Sequence, residues 1–278
     1  MAFSNFIPQI WNASLLLEFR ARATAAALTN RQYEGDARTG NQVKITSAVD
    51  ISVKDYKAAS RTTTADSIDV TQIQLLIDQE KNFDFLVDDI DRAQAAGGLD
   101  AYNTSAATSL ALDADAFIFD TAVNGVNPSN IGGTSVADAK AAFNGLRDMR
   151  KRLNKFHVPL DQRVAFINSE YASLLLDYDS KLTAVDTSGD GAGLREATIG
   201  RLLGFRVVET ENMPGDPDDP KAIAWYSPSV AFVSQVTESE AMRDTGSFSD
   251  RIRGLHVYGS KVLRGGKGVA IVGEFGQS

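Results

Sequence analysis

The sequence predicts an α+β protein, and two patterns lead to that prediction. Apolar and polar residues alternate over 43–53, which is typical of a half-buried strand. From about Leu99 to Val123, apolar residues recur every three or four positions, which indicates one long helix. Helices and strands alternate only in a middle segment, near 130–225, so we expect the elements on either side of it to pack together.

The N-terminal part combines a helix with a two-stranded ribbon. An apolar residue at every fourth position predicts a helix over about 7–28. The strand at 43–53 precedes a second β-rich run at 68–77, and the polar stretch 57–66 between them predicts a mobile tip. Because a two-stranded ribbon is marginally stable in water, we expect it to lie against another surface, such as a neighbouring subunit.

The long helix carries a single apolar stripe. Its members are Ala107, Leu110, Ala114, Phe117, Ile118 and Thr121. At 1.5 Å per residue the helix is roughly 37 Å long, about the width of a domain, so we expect it to serve as a spine.

The rest of the chain alternates helices and strands and then becomes β-rich. The predicted elements of the middle segment are a helix at 136–156 with a basic outer side, a strand at 164–167, a helix at 169–178, a Gly/Asp/Ser loop at 183–193, a strand at 204–210 and a surface loop at 213–220. The later strands are predicted at 222–226, 230–236, 255–263 and 269–272.

Composition excludes several functions for this chain of 278 residues. It has no cysteine and only two histidines, which removes thiol nucleophiles and Cys-ligated zinc and disfavours multi-histidine metal sites. The net charge of −8, from 36 acidic and 28 basic residues, argues against tight nucleic-acid binding. We find neither a signal peptide nor a membrane-spanning segment in the sequence.

The densest carboxylate cluster consists of Asp84, Asp88, Asp89 and Asp91, and a hard cation such as Mg²⁺ or Ca²⁺ could use it. Adjacent residues of a strand point to opposite faces, so only Asp89 and Asp91 would converge. We therefore favour a solvated acidic run.

The remaining candidates are also weak. Asp186 to Gly191 copies the start of a calcium loop, but Ala197 stands at the twelfth position, where a bidentate Glu is required. The Gly-rich run at 264–268 is interpreted as a turn, and His157 and His256 as structural residues. We predict no catalytic, cofactor-binding or metal-binding residues, no cofactor and no enzymatic activity.

Five short motifs occur in a fixed order along nearly the whole chain. They are F-x-P-x-I-W near the N-terminus, N-R-x-Y-E-G at 30–35, G-x-x-V-x-I at 40–45, I-D-Q-x-K-x-F-x-F-x-V-D-D-I-D-x-A-Q at 77–94 and R-G-L-H-V-Y-G-x-K-V at 253–262. Together they resemble the major capsid proteins of tailed bacteriophages, in the group related to the coat protein of a Salmonella podophage. No motif alone is diagnostic of a chemistry, but the ordered set is specific.

The resemblance implies the Hong Kong 97-like fold. In that fold the chain would divide into an N-terminal arm at 1–35, an extended E-loop at 36–80, a peripheral domain with the spine helix at 81–129 and 226–278, and an axial domain at 130–225. The ribbon that is marginal alone would then have a neighbour to lie on.

The resemblance also implies self-assembly into pentamers and hexamers of an icosahedral head that encloses double-stranded DNA without binding it specifically. Assembly would take place in the cytoplasm of the bacterial host, with a portal as partner. Since the sequence begins directly at the arm, we expect a scaffolding protein to be a separate chain. A decoration protein is left open.

Two alternatives remain at this point. An encapsulin-type nanocompartment shell protein would share the fold but enclose a cargo enzyme. A carboxylate-dependent metal hydrolase built on Asp88, Asp89 and Asp91 would instead be a monomer or a small oligomer.

Overall fold

A computed structural model gives the positions of most residues of the chain. The residues that it describes are 24–35, 40–47, 53–63, 65, 71–88, 100–132, 136–176, 200–216, 218–263 and 271–275. The predicted N-terminal helix before residue 24, the loop at 183–193 and the Gly-rich run at 264–268 lie outside them.

The described helices are α1 (Thr24–Ala27), α2 (Asp100–Asn124), α3 (Ala139–Lys155) and α4 (Ser169–Leu175). The described strands are β1 (Gln42–Ser47), β2 (Thr71–Leu76), β3 (Gln79–Asp88), β4 (Ile131–Gly132), β5 (Arg163–Ile167), β6 (Arg201–Leu202), β7 (Phe205–Glu209), β8 (Lys221–Tyr226), β9 (Val230–Arg243), β10 (Ser249–Val262) and β11 (Ile271–Phe275).

These strands form three sheets. β1 and β2 make an antiparallel ribbon, and β3, β10 and β9 make an antiparallel sheet in that order. The order in the largest sheet is β4-β11-β8-β5-β7-β6. It is mixed, because β5 runs parallel to β7, and β11 to β4, whereas β8 is antiparallel to both β5 and β11.

The six-stranded sheet is covered on both faces. Phe166 and Trp225 belong to a core shared with Phe119 of α2, whereas Ile167 packs in a second core with Leu146 of α3. Every residue of β5 is buried, and after Arg163 the strand accordingly appears in the sequence as a continuous apolar run, Val164 to Ile167. The six-stranded sheet therefore lies between α2 on one face and α3 with α4 on the other.

The predicted spine helix is confirmed as α2, although its buried face is wider than the predicted stripe. Ala107, Ala114 and Ile118 are buried as expected, and Asp115 and Phe119 are buried as well. Among the described helices, none is both long and apolar enough to cross a membrane.

Asp115 joins the N-terminal segment to the spine helix. Its carboxylate accepts hydrogen bonds from the Thr24 hydroxyl at 2.7 Å and from the backbone N–H groups of Thr24 and Ala25, each at 3.2 Å. These donors belong to the first turn of α1, where N–H groups lack partners within the helix. Burial raises the pKa of Asp115, while the hydrogen bonds from Thr24 and Ala25 oppose that rise.

Replacing Asp115 with Ala is expected to lower the free energy of unfolding by about 2–3 kcal/mol, because it leaves buried N–H donors without an acceptor. The matched control is Asp120→Ala, an exposed carboxylate on the same helix, for which we expect a change within about 0.5 kcal/mol. Urea unfolding of the unassembled subunit measures both variants. Equal losses would show that Asp115 does not hold α1.

The hairpin of β9 and β10 is longer than predicted. The sequence placed these strands at 230–236 and 255–263, but the pairing extends to Arg243 of β9, which lies opposite Asp250 of β10. Glu240, Arg251 and Arg253 lie on the solvent side of this extension, where cross-strand ion pairs take the place of an apolar alternation.

The last strand joins the sheet of the middle segment. β11, predicted at 269–272 and grouped with the flanking elements, lies between β4 and β8. Ile271 is opposite Trp225 and shares its core. The flanking and middle parts of the chain are therefore tied together by this strand.

Candidate assembly surfaces

The ribbon has a buried base and an open outer side. Val43 of β1 lies opposite Leu75 of β2, and both pack with Ile45 in a core that includes Ala231 and Val233 of β9. The ribbon therefore begins on its own subunit.

Gly259 of β10 lets the end of β2 cross closely above it. A Cβ at this position would lie 2.1 Å from the carbonyl oxygen of Leu76 and 2.9 Å from the Cα of Ile77. Both contacts are to backbone, which cannot rotate away as a side chain can. Glycine is thus required for the ribbon to leave the sheet at this place.

The distal part of the ribbon is exposed throughout the residues that the structure describes, 53–63 and 65. Val53 is 99% exposed and Tyr56 is 55% exposed. The tip has local order that the sequence did not predict: the Asp55 side chain accepts from the N–H groups of Lys57 and Ala58 at 2.9 and 3.2 Å. This turn presents apolar side chains to solvent.

The outer face of the three-stranded sheet carries rows of ion pairs and isolated apolar side chains. Asp84, Arg253 and Glu240 lie opposite one another, and the Nε atoms of Arg251 and Arg253 donate to Asp84 at 2.9 Å and to Glu240 at 3.0 Å. In the next row Leu86 is 58% exposed. Phe248, in the turn between β9 and β10, is 82% exposed.

The inner face of that sheet contains a buried histidine. His256 Nε2 lies 2.9 Å from Ser234 Oγ, and its ring centre is 4.9 Å from that of Tyr258. The Tyr258 hydroxyl donates to Asp113 of α2 at 2.5 Å. Burial lowers the pKa of His256 from its ordinary value of 6.5 to about 4, with the Asp113 charge opposing. His256 is therefore a neutral core residue at neutral pH, in agreement with its structural interpretation.

The stability of the subunit should fall as the pH drops from about 6.5 to 4. The unfolded histidine binds a proton below 6.5 and the folded one only below about 4, so acid favours unfolding. This difference between the two pKa values corresponds to about 3 kcal/mol in the free energy of unfolding. The subunit has this contribution in full above pH 6.5 and loses it as the pH falls toward 4. Urea unfolding across this range measures the loss, and His256→Gln, which does not titrate, separates it from carboxylate titration. Identical pH profiles for the two proteins would contradict this prediction.

The carboxylate cluster predicted from the sequence is only partly described, since Asp89 and Asp91 lie outside the described residues. Asp84 and Asp88 share the exposed face of β3 but stand four residues apart, about 13 Å along a strand. The hydrogen bond from Arg251 holds the pKa of Asp84 below its usual value. Within the described part of the chain, no group of three metal-ligating side chains comes together.

The other predicted candidates also stay apart. His157 follows α3 in an exposed left-handed turn, with φ 56°, far in sequence from the buried His256. Asp186, Asp190 and Ala197 lie outside the described residues, so the calcium-loop alternative is not addressed.

The middle segment carries a basic face on α3, which the sequence predicted, and a pair of arginines, which it did not. Lys140, Arg147 and Lys151 of α3 are exposed on the side opposite its buried residues, as predicted. Arg201 and Arg206 face each other across the β6–β7 hairpin. The sequence feature that could have indicated this hairpin is Leu203-Gly204, which forms the two-residue turn between β6 and β7.

These surfaces belong to a subunit with a projecting ribbon, a spine helix and a two-faced sheet. The sequence model of the family described as Phage capsid protein matches residues 73–272. The chain belongs to this phage capsid protein family. It is therefore a major capsid protein, a structural component whose place is the capsid of the virion.

Solved structures show that the capsid protein has the Hong Kong 97-like fold. A chain from Mycobacterium phage Che8 is 50% identical, with 91% of this chain and 90% of that chain covered and a TM-score of 0.81. The capsid of Cyanophage P-SCSP1u matches at 15% identity, 86% and 84% coverage and a TM-score of 0.69. A virus-like particle from Pyrococcus furiosus matches at 14% identity, 97% and 99% coverage and a TM-score of 0.60.

A search of curated protein sequences found no match. Membership of the subgroup related to the Salmonella podophage coat protein stays a prediction. The virus-like particle shares the fold of the capsid protein, whereas the family match favours a phage capsid over a nanocompartment shell.

Proposed function

We propose that the capsid protein assembles into pentamers and hexamers that close into an icosahedral head around double-stranded DNA. Contacts that join two different surfaces of identical copies generate closed rings. Each contact can be weak, since many contacts per subunit add up to a stable particle while single ones stay reversible. The net charge of −8 supports a container that does not bind its DNA tightly.

The observation that carries this proposal is the ribbon. Its base is anchored at Gly259 and in the core of β9, while Val53 and Tyr56 near its tip are exposed. An exposed apolar projection that is anchored at only one end is suited to lying on a second subunit. We propose that this ribbon is the E-loop and that a neighbouring subunit covers it.

The proposed division of the chain follows the predicted one with a single change. The arm is 1–35, the E-loop 36–80, the peripheral domain 81–129 with the long β9–β10 hairpin, and the axial domain 130–225. The pairing of β11 with β4 and β8 supports adding 271–275 to the axial domain.

We further propose that the capsid protein has no catalytic activity and that it assembles in the cytoplasm of the bacterial host. A separate scaffolding protein and a portal are its proposed partners, and a decoration protein is a further candidate. Membership of the phage capsid protein family, whose members are structural proteins, supports the first point.

The purified protein, alone or with a scaffold, is expected to form hollow shells or free pentamers and hexamers. Sedimentation velocity and negative-stain electron microscopy measure this directly. A monomer that persists under every assembly condition would overturn the proposal. Shells that form without any phage component and enclose a host enzyme would favour the nanocompartment alternative.

A further inference from the structure

A basic cleft lies at one end of the six-stranded sheet. It has a volume of about 710 Å³, and its lining joins the segment after α1, the turn before β5, the β6–β7 hairpin and the start of the turn after β8. Its charged side chains are Arg31, Asp161, Arg163, Arg201 and Arg206. Four cations thus share one concave surface with a single carboxylate.

Two of these arginines already have partners. Arg31 pairs with Glu34, and Arg163 donates to the carbonyl oxygens of Val158 at 2.5 Å and Pro159 at 2.7 Å. No partner is present among the described residues for Arg201 or Arg206, which are both exposed.

Arg201 and Arg206 are held as direct cross-strand neighbours. The two-residue turn Leu203-Gly204, with φ 50° and 84°, fixes the register of this hairpin, so the strands cannot slip to separate the charges. Like charges directly opposite each other destabilise a strand pair. An anion between the two guanidinium groups would turn this repulsion into attraction.

The opposite end of β7 carries an acidic loop, Glu211 to Asp219. Glu211, Asp216 and Asp218 are exposed. Asn168 holds the loop in place by donating to the carbonyl oxygen of Asp219 at 2.7 Å, and Glu211 accepts from the N–H of Ser169 at 2.7 Å. These two hydrogen bonds therefore hold the ends of the acidic loop.

The acidic loop and the basic cleft of one subunit are kept apart by β7. Five strand residues span about 16 Å, and the hairpin turn and the loop lie at opposite ends of them. We infer that the basic cleft receives the acidic loop of a second copy of this chain, which places Arg201 and Arg206 against Asp216 and Asp218 in a head-to-tail contact. This inference rests on the proposed assembly into rings, where such a contact repeats around the axis.

Charge reversal with rescue tests the contact. Arg201→Glu with Arg206→Glu, and separately Asp216→Lys with Asp218→Lys, should each lower the yield of assembled particles about tenfold or more in low-salt buffer. The variant that carries all four substitutions restores opposite charges in every copy and should regain most of the yield. Added salt should lower the wild-type yield, because it screens the attraction.

The control is Arg152→Glu with Lys155→Glu in the last turn of α3, which makes the same change in charge as the double arginine variant and should leave the yield unchanged. Thermal melting of each subunit confirms that it is folded. The inference is overturned if the fourfold variant is not rescued, or if either double variant assembles like the wild type. It is also overturned if the arginine variant assembles normally but shifts a linear DNA duplex less than the wild type, because the cleft would then bind nucleic acid. Wild-type protein that never assembles would overturn the proposed function instead.

Discussion

Deletion of the ribbon tip, Ala58 to Ala65, is expected to leave a folded subunit that no longer assembles. The described residues of this tip are exposed and contribute nothing to the cores that hold the subunit together. Its melting temperature should therefore stay close to that of the wild type. The yield of shells should fall to background, because each copy would lose a contact with its neighbour and the loss repeats around every ring.

A second variant of unchanged length separates the contribution of the tip's side chains from that of the chain segment that joins β1 to β2. Replacing the same eight residues by a Gly/Ser sequence keeps the number of residues between β1 and β2 but removes the side chains of the tip. It should also fail to assemble. Particle yield by sedimentation and melting by circular dichroism measure both variants. If the deletion abolished the melting transition, the tip would belong to the core and the E-loop proposal would fail.

Replacing Trp225 with Ala should have the largest effect on the stability of the subunit. Trp225 is fully buried in β8, its ring centre lies 4.4 Å from that of Phe166 and 5.5 Å from that of Phe119, and its indole N–H donates to the carbonyl oxygen of Leu28 at 3.3 Å. It thus connects the sheet with the spine helix and with the segment after α1. We expect a loss of about 3–5 kcal/mol, a large fraction of the stability of a typical domain.

Trp225→Phe is the matched control. It keeps an aromatic ring in the cluster and loses the indole N–H with part of the volume, so we expect a loss of roughly 1–2 kcal/mol. Urea unfolding of the unassembled subunits, followed by circular dichroism, gives both values. A loss below about 1 kcal/mol for Trp225→Ala would mean that this cluster does not hold the sheet to the spine helix.

Several elements were predictable because a local pattern determines them. In the sequence, Phe83, Phe85 and Val87 alternate with Asp84 and Leu86, and in β3 each odd-numbered side chain is more buried than its even-numbered neighbours. The three-and-four spacing likewise predicted α2 almost to its ends. In both cases the period of the apolar residues is the period of the backbone.

Other elements were predicted incompletely because their stabilising partners are distant in sequence. The extension of β9 and β10 is rich in charge, and only the pairing of Arg251 with Asp84 and of Arg253 with Glu240 shows why these residues form strands. The place of β11 between β4 and β8 depends on the depth of the core around Ile271. No window of sequence around these residues contains that information.

The sequence by itself determined that this protein has a ribbon, a spine helix and a basic outer side on α3, since each follows from side chains a few positions apart. Only the tertiary structure decided that Asp115 binds the start of α1, 91 residues away from Thr24, and that Tyr258 bonds to Asp113 across 145 positions. It also placed Arg201 opposite Arg206 in the cleft that also contains Arg31 and Arg163. These arrangements depend on which surfaces the cores bring together, and burial in a core is a property of the whole chain rather than of any segment.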